Sequence, residues 1–580
     1  MGWLWGSLVV LLGWGAGLAL LTTLGLLPTR VAAPGAGVLR QVRASLWWGL
    51  LVLVILGYGA SIWLPLASTA TATIVVVTAL ALGIPGWWLL TRQARTGRWG
   101  LRLEPNLRDR RNWPWLAGGA GLGLAIATLA LAALSTVTHY DAGLYQLGAI
   151  RYAAEFPAIR GIANLYQPLG YANAEPVLAA LAGNGPWGLA GFRLVNGFVM
   201  VLLAADLLLR TLARGHRNSV GWWVLVVGLT ATWVPMVAMA DFWVTSPTAD
   251  SAVLMVSLAC VATLADQVRR PSRADLASVV VLCTLLVLLR PTMVVFAGLT
   301  ALVALAVAWR RMGGRALRPV LASGLAAVLA AVLLVYRDVL LSGWLQYPLS
   351  LLPFDVPWRA ADPTGLRVAT LGFARNPADI WGSVEGWAWV GPWVSQLSRE
   401  WAFWLTAALT STAAGTLALA TRRARSRGAH VDWRGLLVTC TPALVAVAVW
   451  WATTPPALRF IWGPLFAVGI LPLAWALREL NWRRAPLLGA GAALIAVSGL
   501  TLFARIDWSA PAAEQSWLGL PVRVSLITQT PTAPRTLASG LVIMQPTTGE
   551  QCWAAFPLCS PAVPEGLRPL ATDWADGLLP

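Results

Sequence analysis

The chain has 580 residues, of which 58% are hydrophobic and only 11% are charged, and its mean hydropathy is +0.68. Soluble domains carry roughly 25% charged residues, so this composition excludes a water-soluble globular protein. The net charge of +18 comes from Arg, most of which lies in short clusters between apolar runs. The charge therefore indicates orientation in a membrane and not binding to nucleic acid.

Apolar runs of 18 or more residues recur along the chain, and each can cross a hydrocarbon core about 30 Å thick. Because backbone polar groups find no partner in lipid, these runs are predicted to be helices. We place fourteen spans near residues 4–27, 45–66, 68–91, 114–137, 186–209, 219–240, 250–268, 274–290, 291–309, 319–341, 403–421, 435–452, 459–477 and 486–505.

The Arg clusters predict the orientation of the spans. They fall in alternating connections, most densely in residues 92–111 and 422–434. Since positive charge favours the cytoplasmic side, these connections are predicted to be inside. The even number of spans then places both termini outside. We expect a multi-pass protein of the bacterial cytoplasmic (inner) membrane with extracytoplasmic termini.

Three of the predicted extracytoplasmic segments are too long to be simple turns, and function is expected there. The last of them is predicted to form a small cap with a hairpin near Gly540–Met544. The expected division is an N-terminal three-helix extension with a basic cytoplasmic loop (1–113), a catalytic membrane module (114–341), an outer loop (342–402), C-terminal helices (403–505) and a tail (506–580).

The five Cys residues fall into two groups. Cys260, Cys283 and Cys440 lie within predicted spans and are interpreted as packing residues. Cys552 and Cys559 lie in the exported tail, where an oxidising compartment favours a disulfide between them. The three His residues are scattered over both faces, so no structural zinc site is predicted.

The first long outer loop carries the clearest chemical signal. Asp141 follows the fourth span closely, where a carboxylate is well placed as a general base for a lipid-borne substrate. From Asp141 to Phe156 the apolar residues recur at helical spacing, which predicts an amphipathic surface helix. Asp141 would lie near the N-terminus of that helix, which is also a capping position. Spacing alone leaves both roles open and slightly favours the cap.

An acidic residue in an outer loop, followed by a Tyr and by an Arg-bearing helix, resembles the GT-C superfamily of membrane glycosyltransferases, which use polyprenyl-phosphate-linked sugars. The chain also looks like a bacterial family of large membrane proteins thought to share that fold. This second likeness covers most of residues 114–580 and depends on the strings His139-Tyr-Asp-Ala-Gly-Leu-Tyr145, Arg459-Phe460 and Cys552-Trp553. The three spans before the fourth depart from the GT-C pattern.

The resemblance implies that Asp141 is the catalytic residue, which deprotonates or aligns the acceptor hydroxyl. It also implies substrate contacts for Tyr145 and Arg151 in the following helix. The segment from Asp241 to Asp250 resembles a short acidic loop that borders the same cleft. Asp250 is equally well placed to cap the seventh span, and both interpretations stay open.

Arg290 lies at the predicted outer tip between the eighth and ninth spans, where similar enzymes place a basic residue near the donor phosphate. An Arg held near the bilayer without an acidic neighbour in sequence needs a ligand or counter-ion, and guanidinium matches phosphate. Snorkelling to the interface is the alternative. Arg459 and Arg193 are weaker candidates of the same kind. The first outer loop lacks an Asp-x-Asp or Asp-Glu pair, so the cofactor stays unassigned, with a divalent metal as the candidate.

These observations predict an all-α polytopic membrane protein of the GT-C kind. The hypothesis is an inverting transferase that moves a sugar from a polyprenyl-phosphate donor to an extracytoplasmic glycan or lipid acceptor. One alternative is a polymerase or ligase of lipid-linked polysaccharide, which would use a pyrophosphate-linked donor. A transporter or flippase is less favoured, because nearly all charges except Asp206 lie at span ends. A non-catalytic scaffold is the fourth candidate.

Overall fold

The computed structural model describes residues 1–95, 113–213, 219–234, 246–380, 386–454, 456–480, 484–562 and 564–580. The helices are α1 (Gly2–Ala32), α2 (Val38–Ser61), α3 (Thr69–Arg95), α4 (Trp113–Ala132), α5 (Leu147–Glu155), α6 (Ala174–Ala182), α7 (Val195–Leu212), α8 (Val220–Val234), α9 (Ala249–Arg269), α10 (Arg273–Leu289), α11 (Val294–Met312), α12 (Leu317–Ser342), α13 (Thr364–Arg375), α14 (Val390–Leu397), α15 (Trp401–Ser426), α16 (Trp433–Thr453), α17 (Trp462–Glu479) and α18 (Arg484–Arg505). The strands are β1 (Trp344–Gln346), β2 (Leu351–Pro353), β3 (Ala512–Trp517), β4 (Leu520–Ser525), β5 (Thr532–Thr536), β6 (Val542–Pro546), β7 (Arg568–Pro569) and β8 (Leu578–Leu579).

Long apolar helices dominate the architecture, as in a membrane protein. Among the described residues, nine helical stretches are long and apolar enough to cross a membrane, and the stretch Pro291–Ser342 includes both α11 and α12. Each of the fourteen predicted ranges contains a helix, although the range 219–240 is described only as far as Val234. The positions of the helices are confirmed, and the number that crosses the bilayer stays a prediction.

The first three helices pack into the bundle. A Cβ atom on Gly25 of α1 would lie 1.9 Å from the Ser45 carbonyl oxygen, and one on Gly49 of α2 would lie 1.9 Å from the Leu21 carbonyl oxygen. The two backbones therefore touch, as small residues allow in membrane helices. This approach brings α2 against α1, α7 and α10, and most of α2 is buried.

A buried ion-pair network, the Asp206 cluster, joins four helices. Its members are Arg43 of α2, Asp206 and Arg210 of α7, Asp266 of α9 and Asp275 of α10. Arg210 Nε lies 2.6 Å from Asp206 Oδ1, and both side chains are fully buried. Breaking such a pair would leave a buried charge uncompensated, at a cost of about 3–5 kcal/mol. The charge that the sequence places inside the fifth predicted span is thus paired within the bundle.

The opposite end of the bundle carries a second set of charges, formed by Asp141, Asp250, Arg290 and Arg459. We call it the Asp141 end, and we call the end with the Asp206 cluster the Asp206 end. Helix α9 reaches both, because Asp250 lies in its first turn and Asp266 near its last. At 1.5 Å per residue, these two carboxylates are separated by about 24 Å of helix.

The tail covers part of the Asp141 end. Its hairpins pair β3 with β4 and β5 with β6 in antiparallel register. The second is the hairpin predicted near Gly540–Met544, and the first was not predicted. The Ser525 amide at the end of β4 donates to the Leu134 carbonyl, 2.9 Å away, just after α4. A disulfide joins Cys552 and Cys559, and we call this segment the disulfide loop. The tail is thereby attached to the segment that leads to Asp141.

Candidate active site

Asp141 forms an ion pair with Arg459 at the Asp141 end. It precedes a π-helical turn, Ala142–Gln146, that continues into α5. Within the described residues its carboxylate makes no capping hydrogen bond with that turn. Instead, Asp141 Oδ2 lies 3.1 Å from Nη1 of Arg459, and the two side chains are 20% and 28% exposed. Single π-helical turns are frequent at functional sites. Asp141 thus lies at the predicted N-cap position, but its carboxylate pairs with Arg459 and does not cap the turn.

Arg459 and Arg290 lie side by side. Arg459 is in the turn Leu458–Ile461 before α17, and Arg290 follows the last residue of α10. Nη1 of Arg290 donates to the Arg459 carbonyl, 3.3 Å away. The guanidinium carbon of Arg290 lies 5.3 Å from the centre of the Phe460 ring, and that of Arg459 lies 5.2 Å from it. One aromatic ring thus contacts both cations, which partly offsets their repulsion.

Asp250 holds Arg290 from a fixed position. Its carboxylate forms an ion pair with Nη2 of Arg290 and is 3% exposed. Thr248 caps α9 by accepting from the Asp250 amide, and its hydroxyl donates to Asp250 Oδ2 at 2.8 Å. The side-chain cap of this helix is therefore Thr248, and the Asp250 carboxylate pairs with Arg290.

Further polar groups surround the Asp141–Arg459 pair. The Tyr145 and Tyr171 rings meet edge to face, with centres 5.8 Å apart. Burial, and then the Asp141 carboxylate, raise the pKa of Tyr145 above its ordinary value, so its phenol is neutral at pH 7. Desolvation raises the pKa of Glu400, whereas the nearby Arg459 opposes that rise. Tyr145 is thus a neutral hydrogen-bond donor beside the carboxylate.

The tail forms hydrogen bonds with the residues on both sides of Asp141. The Gln551 side-chain amide donates to the Tyr140 carbonyl at 2.7 Å, and the Trp553 amide donates to the Gly143 carbonyl at 3.0 Å. A Cβ atom on Gly143 would lie 2.3 Å from the Trp553 ring, so only glycine permits this contact. The residues on both sides of Asp141 are therefore fixed by the tail.

An apolar groove opens beside the two Arg residues. It lies between α11 and α16 and encloses about 40 Å³, with further space open to the surroundings. Its walls include Val295, Phe296, Val449 and Trp450. Thr292 and Ile461 also line it, each two residues beyond one of the two Arg residues. An apolar surface therefore lies close to the two guanidinium groups.

The other predicted substrate-binding residues lie elsewhere or cannot be placed. Arg193 is 3% exposed, and its guanidinium donates to the Ser135 and Ser525 carbonyls, so it joins the turn Gly188–Leu194 before α7 to the tail and does not contact the four charges of the Asp141 end. Arg151 pairs with Glu155 at 3.1 Å and lies over Phe556 of the disulfide loop. Asp241 is outside the described residues.

No sequence pattern indicates that several residues of the site lie close to it. Phe460 follows Arg459 directly, but only the fold shows that it contacts Arg290 as well. Glu400 and Tyr171 come from separate outer segments, and their proximity to the site depends on how those segments return to the bundle. In the part of the chain that the structure describes, no three His, Cys, Asp or Glu side chains are grouped as metal ligands.

Comparison with known proteins gives one match. The family model described as "Domain of unknown function (DUF8201)" matches residues 8–466. This range includes α1 to α3 and the four charged residues of the Asp141 end. No curated protein and no solved structure matches the chain.

Proposed function

Because the chain belongs to the family described as a domain of unknown function (DUF8201), its activity has to be derived from its site, and we propose that it is a membrane glycosyltransferase. It moves a sugar from a polyprenyl-phosphate donor to a glycan or lipid acceptor. The Asp141 end faces the outside of the bacterial cytoplasmic membrane, and both termini are outside. The GT-C resemblance adds the expectation that the configuration at the anomeric carbon is inverted.

One observation carries the proposal, namely that two adjacent guanidinium groups, each paired with a carboxylate, lie close to an apolar groove. Guanidinium binds phosphate through two parallel hydrogen bonds. The groove between α11 and α16 suits a prenyl chain, because Phe296 and Val449 provide apolar walls. These features suit a lipid phosphate better than a soluble nucleotide sugar.

The residues then have separate roles in the transfer. The acceptor oxygen bonds to the anomeric carbon while the bond from that carbon to the phosphate oxygen breaks. The acceptor proton moves to Asp141, which acts as general base. The electron pair leaves with the prenyl phosphate, whose growing charge is stabilised by Arg290 and Arg459. The outer loop 342–402 and the tail select the acceptor.

The test is the transfer of radiolabelled sugar from a panel of polyprenyl-phosphate monosaccharides to a lipid and glycan fraction, with purified protein. Asp141→Asn is expected to lower transfer by roughly 10²–10⁴-fold, because general-base catalysis contributes about that much. Glu155→Gln is the charge-matched control, since Glu155 pairs with Arg151. It is expected to keep the parent rate. Equal transfer by Asp141→Asn and the parent would remove Asp141 from the chemistry.

A polymerase or ligase of lipid-linked polysaccharide is the second candidate. Two guanidinium groups beside one Phe460 ring also suit a pyrophosphate, which carries more charge than a monophosphate. The same assay separates the candidates when pyrophosphate-linked oligosaccharides are included. Transfer from these donors alone would favour the polymerase or ligase.

A further inference from the structure

The ion pairs of the Asp141 end limit how an anion can bind there. Arg459 lies against Asp141, and Arg290 lies against Asp250, so each cation already contacts a carboxylate. A phosphate forms two parallel hydrogen bonds with one edge of a guanidinium, and each carboxylate now occupies part of such an edge. A phosphate that binds Arg459 through Nη1 therefore has to displace Asp141.

The two pairs differ in how firmly they are held. Asp250 is 3% exposed, and Thr248 fixes its carboxylate through the hydroxyl while capping α9 through the Asp250 amide. Asp141 is 20% exposed, and its pairing distance to Arg459 is 3.1 Å. Within the described residues the turn after Asp141 receives no capping bond from its carboxylate. The Asp141–Arg459 pair is therefore the one that opens at the lower cost.

We infer that Arg459 restrains Asp141 in the empty site and that the donor phosphate releases it by taking its place on the guanidinium. This inference rests on the proposed function. Before the donor binds, Nη1 of Arg459 lies 3.1 Å from Asp141 Oδ2, and this pair sets the position of the carboxylate. Once phosphate occupies Arg459, Asp141 is free to accept the proton of the acceptor hydroxyl. The base thus becomes active only when the donor is in place.

The inference predicts that removing the charge of Asp141 strengthens phosphate binding, although it abolishes transfer. Asp141 competes with the phosphate for Arg459, and exposed or partly exposed pairs contribute up to about 1 kcal/mol. The dissociation constant of farnesyl phosphate is therefore expected to fall roughly two- to fivefold in Asp141→Asn. The gain should shrink as salt is added, since salt screens charges at partly exposed sites.

The experiment measures binding of radiolabelled farnesyl phosphate to the full-length protein in nanodiscs, with farnesol as the uncharged control ligand. Glu155→Gln changes the net charge equally but lies against Arg151, so it should bind as the parent does. The double variant Asp141→Asn/Arg459→Gln should bind no more tightly than Arg459→Gln alone. Asp141→Ser, judged folded by its elution profile, is a second test of the same gain.

The outcomes separate this inference from the proposed function. If the parent binds farnesyl phosphate and Asp141→Asn binds it equally or more weakly, the restraint is contradicted while the proposed function stands. The restraint is also contradicted if Glu155→Gln gives the same gain, or if the gain persists without Arg459. If the parent binds farnesyl phosphate no better than farnesol, the proposed lipid-phosphate site is wrong, and the inference fails with it.

Discussion

Asp141 shows what a single residue can and cannot reveal. Its position after an apolar run and before an amphipathic helix is compatible with a helix cap and with a general base. In the structure its carboxylate pairs with Arg459, a residue 318 positions later in the chain. No local pattern encodes such a pair, because it depends on where α17 begins relative to the end of α4. The role of the residue is thus set by its partner.

A second buried acid gives a prediction at the same scale. Glu175 lies in the first turn of α6 and is 2% exposed, and among the described residues its Oε1 has no hydrogen-bond partner. Burial raises its pKa from 4.5 to about 8. The folded protein therefore holds this proton more tightly than the unfolded chain does. Stability is expected to fall as the pH rises from about 4.5 to 8.

Glu175→Gln removes the ionisation and should make the protein more stable at pH 8.5 than the parent, with little difference at pH 4.5. Thermal unfolding at both pH values measures this, with a shift of about 1 °C for each kcal/mol of relieved penalty, because the entropy of unfolding grows with chain length. Glu155→Gln, on the exposed side of α5, is the matched control. An equal shift at both pH values would mean that Glu175 is not a buried, neutral acid.

Among the elements of the fold, the disulfide loop holds α5 and the turn before it in place through hydrogen bonds. The Leu558 amide donates to the Tyr152 hydroxyl at 2.9 Å, and Arg151 donates to the Ala554 carbonyl at 3.3 Å. The Trp553 amide donates to the Gly143 carbonyl at 3.0 Å, in the turn before α5. A short loop closed by a disulfide is ordered before it docks, so its contacts are made at a lower entropic cost.

Replacing Cys552 and Cys559 by Ser should therefore loosen the segment 140–152. A disulfide contributes about 2 kcal/mol or more, which corresponds to a roughly 30-fold change in a local opening equilibrium. Hydrogen exchange in the segment 140–152 measures this opening. The hairpin of β3 and β4 is the internal control, because it belongs to the same tail but not to the disulfide loop. Unchanged exchange in 140–152, or an equal rise in the hairpin, would contradict a stabilising role of the disulfide loop.

The whole molecule separates two sets of charges at opposite ends of one bundle. The Asp206 cluster is fully packed and ties α2, α7, α9 and α10 together. At the Asp141 end, Asp141, Arg290 and Arg459 remain partly exposed near an apolar groove, whereas Asp250 is buried. The first set stabilises the bundle, and the exposed part of the second is open to a ligand. The proposed chemistry therefore belongs to one end of the bundle.

The orientation of the molecule can be tested with two single substitutions to Cys. Thr548 in the tail and Ser426 at the end of α15 are both exposed, whereas the free thiols Cys260, Cys283 and Cys440 are buried. In intact spheroplasts a membrane-impermeant thiol reagent should label Thr548→Cys and leave Ser426→Cys unlabelled. Inverted vesicles should give the opposite result. Labelling of Ser426→Cys in intact spheroplasts would reverse the proposed orientation.

The positions of the helices can be read from the amino-acid sequence, because crossing a membrane is a property of one run of about 20 residues. The sequence also identifies Asp141, Asp250, Arg290 and Arg459 as candidates, since charges near a bilayer are rare and costly. Which of them pair depends on the tertiary structure, because ion pairs join residues from distant parts of the chain. It also decided that Arg193 supports the fold, since its guanidinium is buried against two carbonyls that no pattern places beside it.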